Sequence, residues 1–107
     1  MSSPLIELRD RLRAFATARD WRQYHNPKNL SMALIVEAAE LVEHFQWASC
    51  DESSVLTAEK AQAVRDEVAD VLIYLVELAD VLDIDLIEAA HEKLAKNAVK
   101  YPVPGSL

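Results

Sequence analysis

The sequence predicts an all-α fold: a four-helix bundle built around a long antiparallel central hairpin and assembled as a homo-oligomer. Three observations carry this. Half of the 107 residues are apolar, Ala, Leu, Val and Glu dominate, and there is one glycine, a composition rich in helix formers and poor in turn residues. Apolar residues recur at alternating three- and four-residue spacing, which puts them on one face of a helix. Capping residues stand where three of the four periodic segments begin.

The first segment opens on Ser3-Pro4, a capping hydroxyl followed by proline at the first helical position. Leu5, Leu8, Leu12 and Phe15 then share a face, and the helix ends near Asp20. The connection Trp21 to Asn29 is aromatic and polar, and Pro27 disfavours helix at Asn26. The second helix is expected from about Asn29 to Ala48. Leu30, Met32, Leu34, Ile35, Val36, Leu41, Val42 and Phe45 make it apolar nearly all round, as in a helix covered on several sides. After a polar loop at 49–56, Thr57 caps a third helix that runs to about Leu82. Asp85, with Glu88 three residues on, starts a fourth, and Lys93, Lys96 and Lys100 lie toward its C-terminus, where the helix dipole favours them. The length suits one domain, 1–107, with 103–107 as a loose tail. A chain this small buries a limited share of its surface, so association with further copies is expected.

The net charge of −7 argues against a nucleic-acid polymer as partner, because binding a duplex needs a basic patch. It leaves phosphate compounds open if divalent cations stand between the two negative partners. No stretch is long and uncharged enough for a membrane, the N-terminal residues lack a signal-peptide pattern, and Cys50 alone forms no disulfide framework. A cytoplasmic protein without a membrane partner is the expectation.

Glu37 and Glu40 are three residues apart on helix two, and Glu67 and Asp70 repeat that spacing on helix three. Both pairs interrupt apolar faces, where an unpaired carboxylate is costly. No Lys or Arg occurs between Lys28 and Lys60 to compensate them. A short loop makes the two helices antiparallel, and with the turn centred near residue 53 or 54, facing residues have numbers that sum to about 107. Glu37 then faces Asp70, and Glu40 faces Glu67. Four convergent carboxylates make a hard oxygen site suited to Mg²⁺, with Mn²⁺ as a substitute. Trp47 lies seven residues beyond Glu40 and Tyr74 seven beyond Glu67, nearly two helical turns, so both rings continue the acidic stripes. Rings beside a phosphate site suit base stacking.

The pattern Glu37-Ala38-Ala39-Glu40, 26 residues, then Glu67-Val68-Ala69-Asp70 resembles the paired-acid motif of the MazG-like, all-α nucleoside triphosphate pyrophosphohydrolases. Arg19-Asp20-Trp21, His25-x-Pro27-x-Asn29-Leu30, Phe45-Gln46-Trp47, Asp70 to Leu75 and Asn97-x-x-Lys100-Tyr101-Pro102 resemble the dCTP pyrophosphatase branch, so the resemblance spans almost the whole chain. It implies Mg²⁺ at Glu37, Glu40, Glu67 and Asp70. It implies nucleotide contacts from Trp21 to His25, from Trp47 and from Tyr74, with Asn97 and Lys100 near the phosphates. Where the resemblance leads one to expect a substrate-contacting histidine on the first helix, this chain has Leu12.

The implied reaction is Mg²⁺-dependent hydrolysis of a (deoxy)nucleoside triphosphate, dCTP or a modified dCTP, to the monophosphate and pyrophosphate. The implied role is housecleaning of the nucleotide pool, by a homodimer or a dimer-of-dimers homotetramer. Two other readings stay open. Glu88-Ala89-Ala90-His91 has the Glu-x-x-His spacing of di-iron bundles, although such bundles use two of these motifs. A non-catalytic helical interaction module is the other. His44 reads as structural, and Glu43 as a solvated residue or a contact to a second metal.

Overall fold

The computed structural model describes residues 3–105 and contains four α-helices and no strand among them. Helix α1 spans Pro4–Ala18, α2 Pro27–Glu43, α3 Ala58–Val81 and α4 Leu86–Lys100, with short 3₁₀ turns at Arg22–Tyr24 and Glu52–Ser54. Residues 106–107 of the expected tail lie outside the described residues.

Three caps are those the sequence predicts. The Ser3 hydroxyl accepts from the Ile6 N–H at 3.2 Å, the Thr57 hydroxyl from Lys60 N–H at 3.2 Å, and the Asp85 carboxylate from Glu88 N–H at 3.0 Å. The second helix differs at both ends. Asn26 is extended, as proline demands of its predecessor, and its side chain accepts from Asn29 N–H at 2.9 Å. Pro27 is therefore the first helical residue, and the helix starts two residues earlier than expected. It also ends earlier, at Glu43 rather than Ala48. Beyond it the hydrogen bonds shorten to three-residue spans, such as His44 N–H to Leu41 O and Ala48 N–H to Phe45 O. Ser49 and Glu52 then cap each other reciprocally, each side chain accepting from the other's backbone N–H at 3.1 Å. This box starts the second 3₁₀ turn and holds the Glu52 carboxyl below its usual range through the bonds from Ser49.

Helices α1 and α3 end alike, each on an aspartate in the left-handed region, Asp20 (φ 58°) and Asp83 (φ 54°). The next N–H reaches back five residues, Trp21 to Ala16 O at 2.9 Å and Ile84 to Ala79 O at 2.8 Å. These turns fix the path of the chain into the first 3₁₀ turn and into α4.

Helices α2 and α3 form the central hairpin, and α1 packs on α3. The Arg13 guanidinium grips Asp80 with two hydrogen bonds, tying α1 to α3. The core is slight: Ala16, Leu30, Val76 and Ala79 are the fully buried apolar residues among those described. The expectation that α2 is covered on several sides fails within one chain, because Met32, Ile35, Val36 and Val42 are all more than half exposed. The accessible surface is 8507 Å², against about 6,000 Å² for a compact protein of this mass. The radius of gyration is 17.3 Å, against about 13 Å. One chain has too few layers to cover its own apolar helices.

The Arg13–Asp80 pair makes stability acid-sensitive. Its hydrogen bonds hold the Asp80 carboxyl below its ordinary value. The stabilisation is thus fully present above an unfolded aspartate's pKa, about 3.9, and is lost as pH falls through the lower folded value. Asp80→Asn should cost roughly 1–2 kcal/mol at pH 7 and flatten the decline below pH ~4, as read by thermal melts across pH.

Candidate active site

The two acid pairs meet in the middle of the hairpin, where α2 and α3 run antiparallel. Carboxylate oxygens of Glu37, Glu67 and Asp70 lie within 4.8 Å of one another. Glu40 is not one of these three but lies close enough to act on the carboxyls of both Glu37 and Glu67. Burial first, then the Glu40 carboxyl, pushes Glu37 up to about 7, and the Glu67 carboxyl is raised mainly by the same two causes. Glu37 Oε2 and Glu67 Oε2 are buried and have no hydrogen-bond partner. Among the described residues no Lys, Arg or His forms an ion pair with any of the four. Crowded, part-buried oxygen donors with unpartnered atoms fit a hard divalent cation such as Mg²⁺ or Mn²⁺. A cation there would reverse the repulsion that raises Glu37 and Glu67.

Tyr74 belongs to this group. Burial raises its hydroxyl pKa, and the charges of Glu37, Glu77 and Asp70 raise it further. Trp21 is held at the end of α1, its ring edge-on to Phe15 with centroids 5.7 Å apart, and the Arg19 guanidinium lies 3.5 Å from the Phe15 centroid. His25 closes the first 3₁₀ turn, and its Nδ1 lies 3.1 Å from Glu77 Oε2 on α3. Leu12 borders the same small hollow as His25 and Glu77.

Trp47 is not brought to the acids within this chain. It is 90% exposed in the turns after α2. Lys60, expected opposite Trp47, has its Nζ 5.8 Å from the Phe45 ring centroid, two residues from Trp47. Asn97 and Lys100 lie near the end of α4, which does not share in the close packing of the hairpin. Lys100 Nζ stands 5.3 Å from the Tyr101 ring centroid.

Glu77 is the residue the sequence reading overlooked. It stands seven residues beyond Asp70, as Tyr74 does beyond Glu67, so the spacing that singled out Tyr74 could have found it. A cleft of about 590 Å³ opens elsewhere, between the start of α1 and the α3–α4 corner, bordered by Ile6, Ile84, Ile87, Glu88 and His91. None of the four acids borders it. Among the described residues Glu88 and His91 join no cluster able to hold a metal, which counts against the di-iron reading.

Three comparisons bear on this geometry. The sequence model of the MazG-like family matches residues 32–106. The protein named dCTP pyrophosphatase 1 in Mus musculus is 44% identical over 103 residues, which cover 94% of this chain and 61% of the mouse protein. Its Homo sapiens counterpart is 42% identical over 102 residues, covering 92% and 60%. The chain thus spans about three fifths of the length of these curated relatives. The crystal structure of a pyrophosphatase from Archaeoglobus fulgidus is similar at a TM-score of 0.90 and 45% identity, covering 96% of each chain.

Proposed function

This chain belongs to the MazG-like family, and from that premise we propose that it hydrolyses a (deoxy)nucleoside triphosphate, dCTP or a modified dCTP, to the monophosphate and pyrophosphate. The observation that carries the reading is the convergence of Glu37, Glu67 and Asp70 with Glu40 close by, and the unpartnered oxygens on Glu37 and Glu67. The name of the mouse and human relatives supports the choice of base.

The four carboxylates would hold Mg²⁺, with Mn²⁺ able to replace it. Bound there, the metal supplies positive charge against the triphosphate and acidifies water. The chain's own residues bind and orient. Trp21 offers a half-exposed ring packed against Phe15, and Tyr74 offers a ring and hydroxyl beside the acids. His25 would contact base or sugar, while Asn97 would lie near the phosphates and Lys100 would offset their charge.

Trp47 completes the pocket from a second copy in a homodimer or a dimer-of-dimers homotetramer. Lys60 against Phe45 keeps Trp47 near the level of residue 60. Tyr74 is fourteen residues further along α3, about 21 Å at 1.5 Å per residue. One base spans no such gap, whereas an antiparallel partner could bring its own Trp47 to this Tyr74 and cover the exposed face of α2.

The test is kcat/KM across canonical and modified NTPs and dNTPs with Mg²⁺. A preference for deoxycytidine triphosphates is expected, and Trp47→Ala should raise KM for the preferred base about 10-fold, the loss of one stacking contact. Equal kcat/KM over all four dNTPs would refute a base-selective pocket.

A further inference from the structure

Glu77 is a part-buried carboxylate that the reaction above does not use. Its side chain is 15% exposed, that of His25 19%, and Oε2 faces His25 Nδ1 at 3.1 Å. Oε2 has no hydrogen-bond partner, so this approach is a close contact short of a hydrogen bond. The other charged neighbours are Arg22, on the same 3₁₀ turn as His25, and Asp80, one turn further along α3 and held by Arg13. The segment around His25 is pinned on both sides: His25 N–H donates to Arg22 O at 3.1 Å, and Asn29 Nδ2 on α2 donates to Tyr24 O at 3.0 Å.

Glu77 is thus on the same helix as Glu67, Asp70 and Tyr74, and it meets the segment that carries Trp21 and His25. We propose that Glu77 is a positioning residue for the reaction, holding the proton of His25 on Nδ1 and fixing the ring so that Nε2 is the atom offered to the nucleotide. The proposal rests on the reading that His25 contacts substrate. A carboxylate bound to one ring nitrogen of histidine sets the tautomer and therefore what the other nitrogen can do. With Nδ1 protonated, neutral His25 presents Nε2 as an acceptor, suited to an amino group on a base. Rotated or in the other tautomer, it would present a donor and reject that group. The contact is loose without substrate, as catalytic hydrogen bonds often are before the complex forms.

Two readouts test this. Long-range ¹H–¹⁵N correlation of the His25 ring at pH ~8.5, without nucleotide, should show Nδ1–H as the main neutral form, and Glu77→Ala should lower that fraction. Glu77→Ala should raise KM for the preferred triphosphate roughly 10-fold with kcat within about two-fold, on the scale of groups that orient a functional histidine. Glu77→Gln, whose amide oxygen still accepts from Nδ1–H, should recover most of that loss. In a His25→Ala background, Glu77→Ala should add nothing further. An unchanged His25 tautomer in Glu77→Ala would overturn the proposal, as would a changed tautomer with unchanged KM. A wild type that turns over no nucleotide would refute the proposed function, while the tautomer would still report on the Glu77–His25 pair.

Discussion

Glu40→Gln and Asp70→Asn are each expected to reduce turnover at saturating Mg²⁺ by about 10²–10³-fold or more, the scale on which removing one stabiliser of transition-state charge acts. Each substitution keeps the size of the side chain and removes a charge from a site whose oxygens converge. Helicity should be unchanged by circular dichroism. The same variants should melt higher than wild type in EDTA. Glu40 is, after burial, the largest cause of the raised Glu37 and Glu67 carboxyls, so removing its charge relieves repulsion in the metal-free protein. Mg²⁺ should stabilise wild type, in proportion to its binding, and stabilise the variants less. Loss of activity together with higher stability in EDTA separates a site residue from a structural one. Wild-type turnover in either variant would remove the assignment.

Refolding Trp47→Ala together with Tyr74→Ala should restore, at dCTP well below KM, activity that each protein alone has largely lost. If each pocket takes Trp47 from one copy and Tyr74 from another, a mixed dimer contains one intact pocket and one doubly defective pocket. Recovery should then approach half of wild type in the mixed dimers, measured after separating them by differing tags. The structural grounds are the 90% exposure of Trp47, the position of Tyr74 beside the acids, and a surface roughly 2,500 Å² larger than a compact chain of this mass presents. An interface of ordinary size covers about 800 Å² per partner, so this excess leaves room for an extensive one. Mixed dimers that stay inactive would mean that each pocket draws both rings from one chain.

The acidic centre was legible because an antiparallel hairpin turns sequence numbers into spatial levels. Glu37 with Asp70, and Glu40 with Glu67, needed only two helices and a short loop. The caps at Ser3, Thr57 and Asp85 were legible because a short polar side chain before a periodic run has few other roles. The ends of α2 were not. Asn26-Pro27 read as an interruption, although an extended residue before proline is also a good cap, and the apolar pattern runs through Phe45 although the backbone leaves the helix at Glu43. The Ser49–Glu52 box that starts the next turn carries the signature that could have marked that exit.

The link between His25 and Glu77 was hidden for a different reason. It depends on the direction in which the chain leaves α1, which is set by Asp20 in a left-handed conformation and by the bond from Trp21 N–H to Ala16 O. Periodicity carries no information about such a turn. The burial expected of α2 misled because apolar periodicity reports that a face is covered, and does not report whether the cover is the same chain.

The most direct measurement is ³¹P NMR of the products formed from dCTP with the purified protein. Deoxycytidine monophosphate and pyrophosphate are expected in equal amounts with Mg²⁺, and no reaction in EDTA. Release of single phosphate with formation of the diphosphate, or turnover that persists in EDTA, would contradict the proposed reaction.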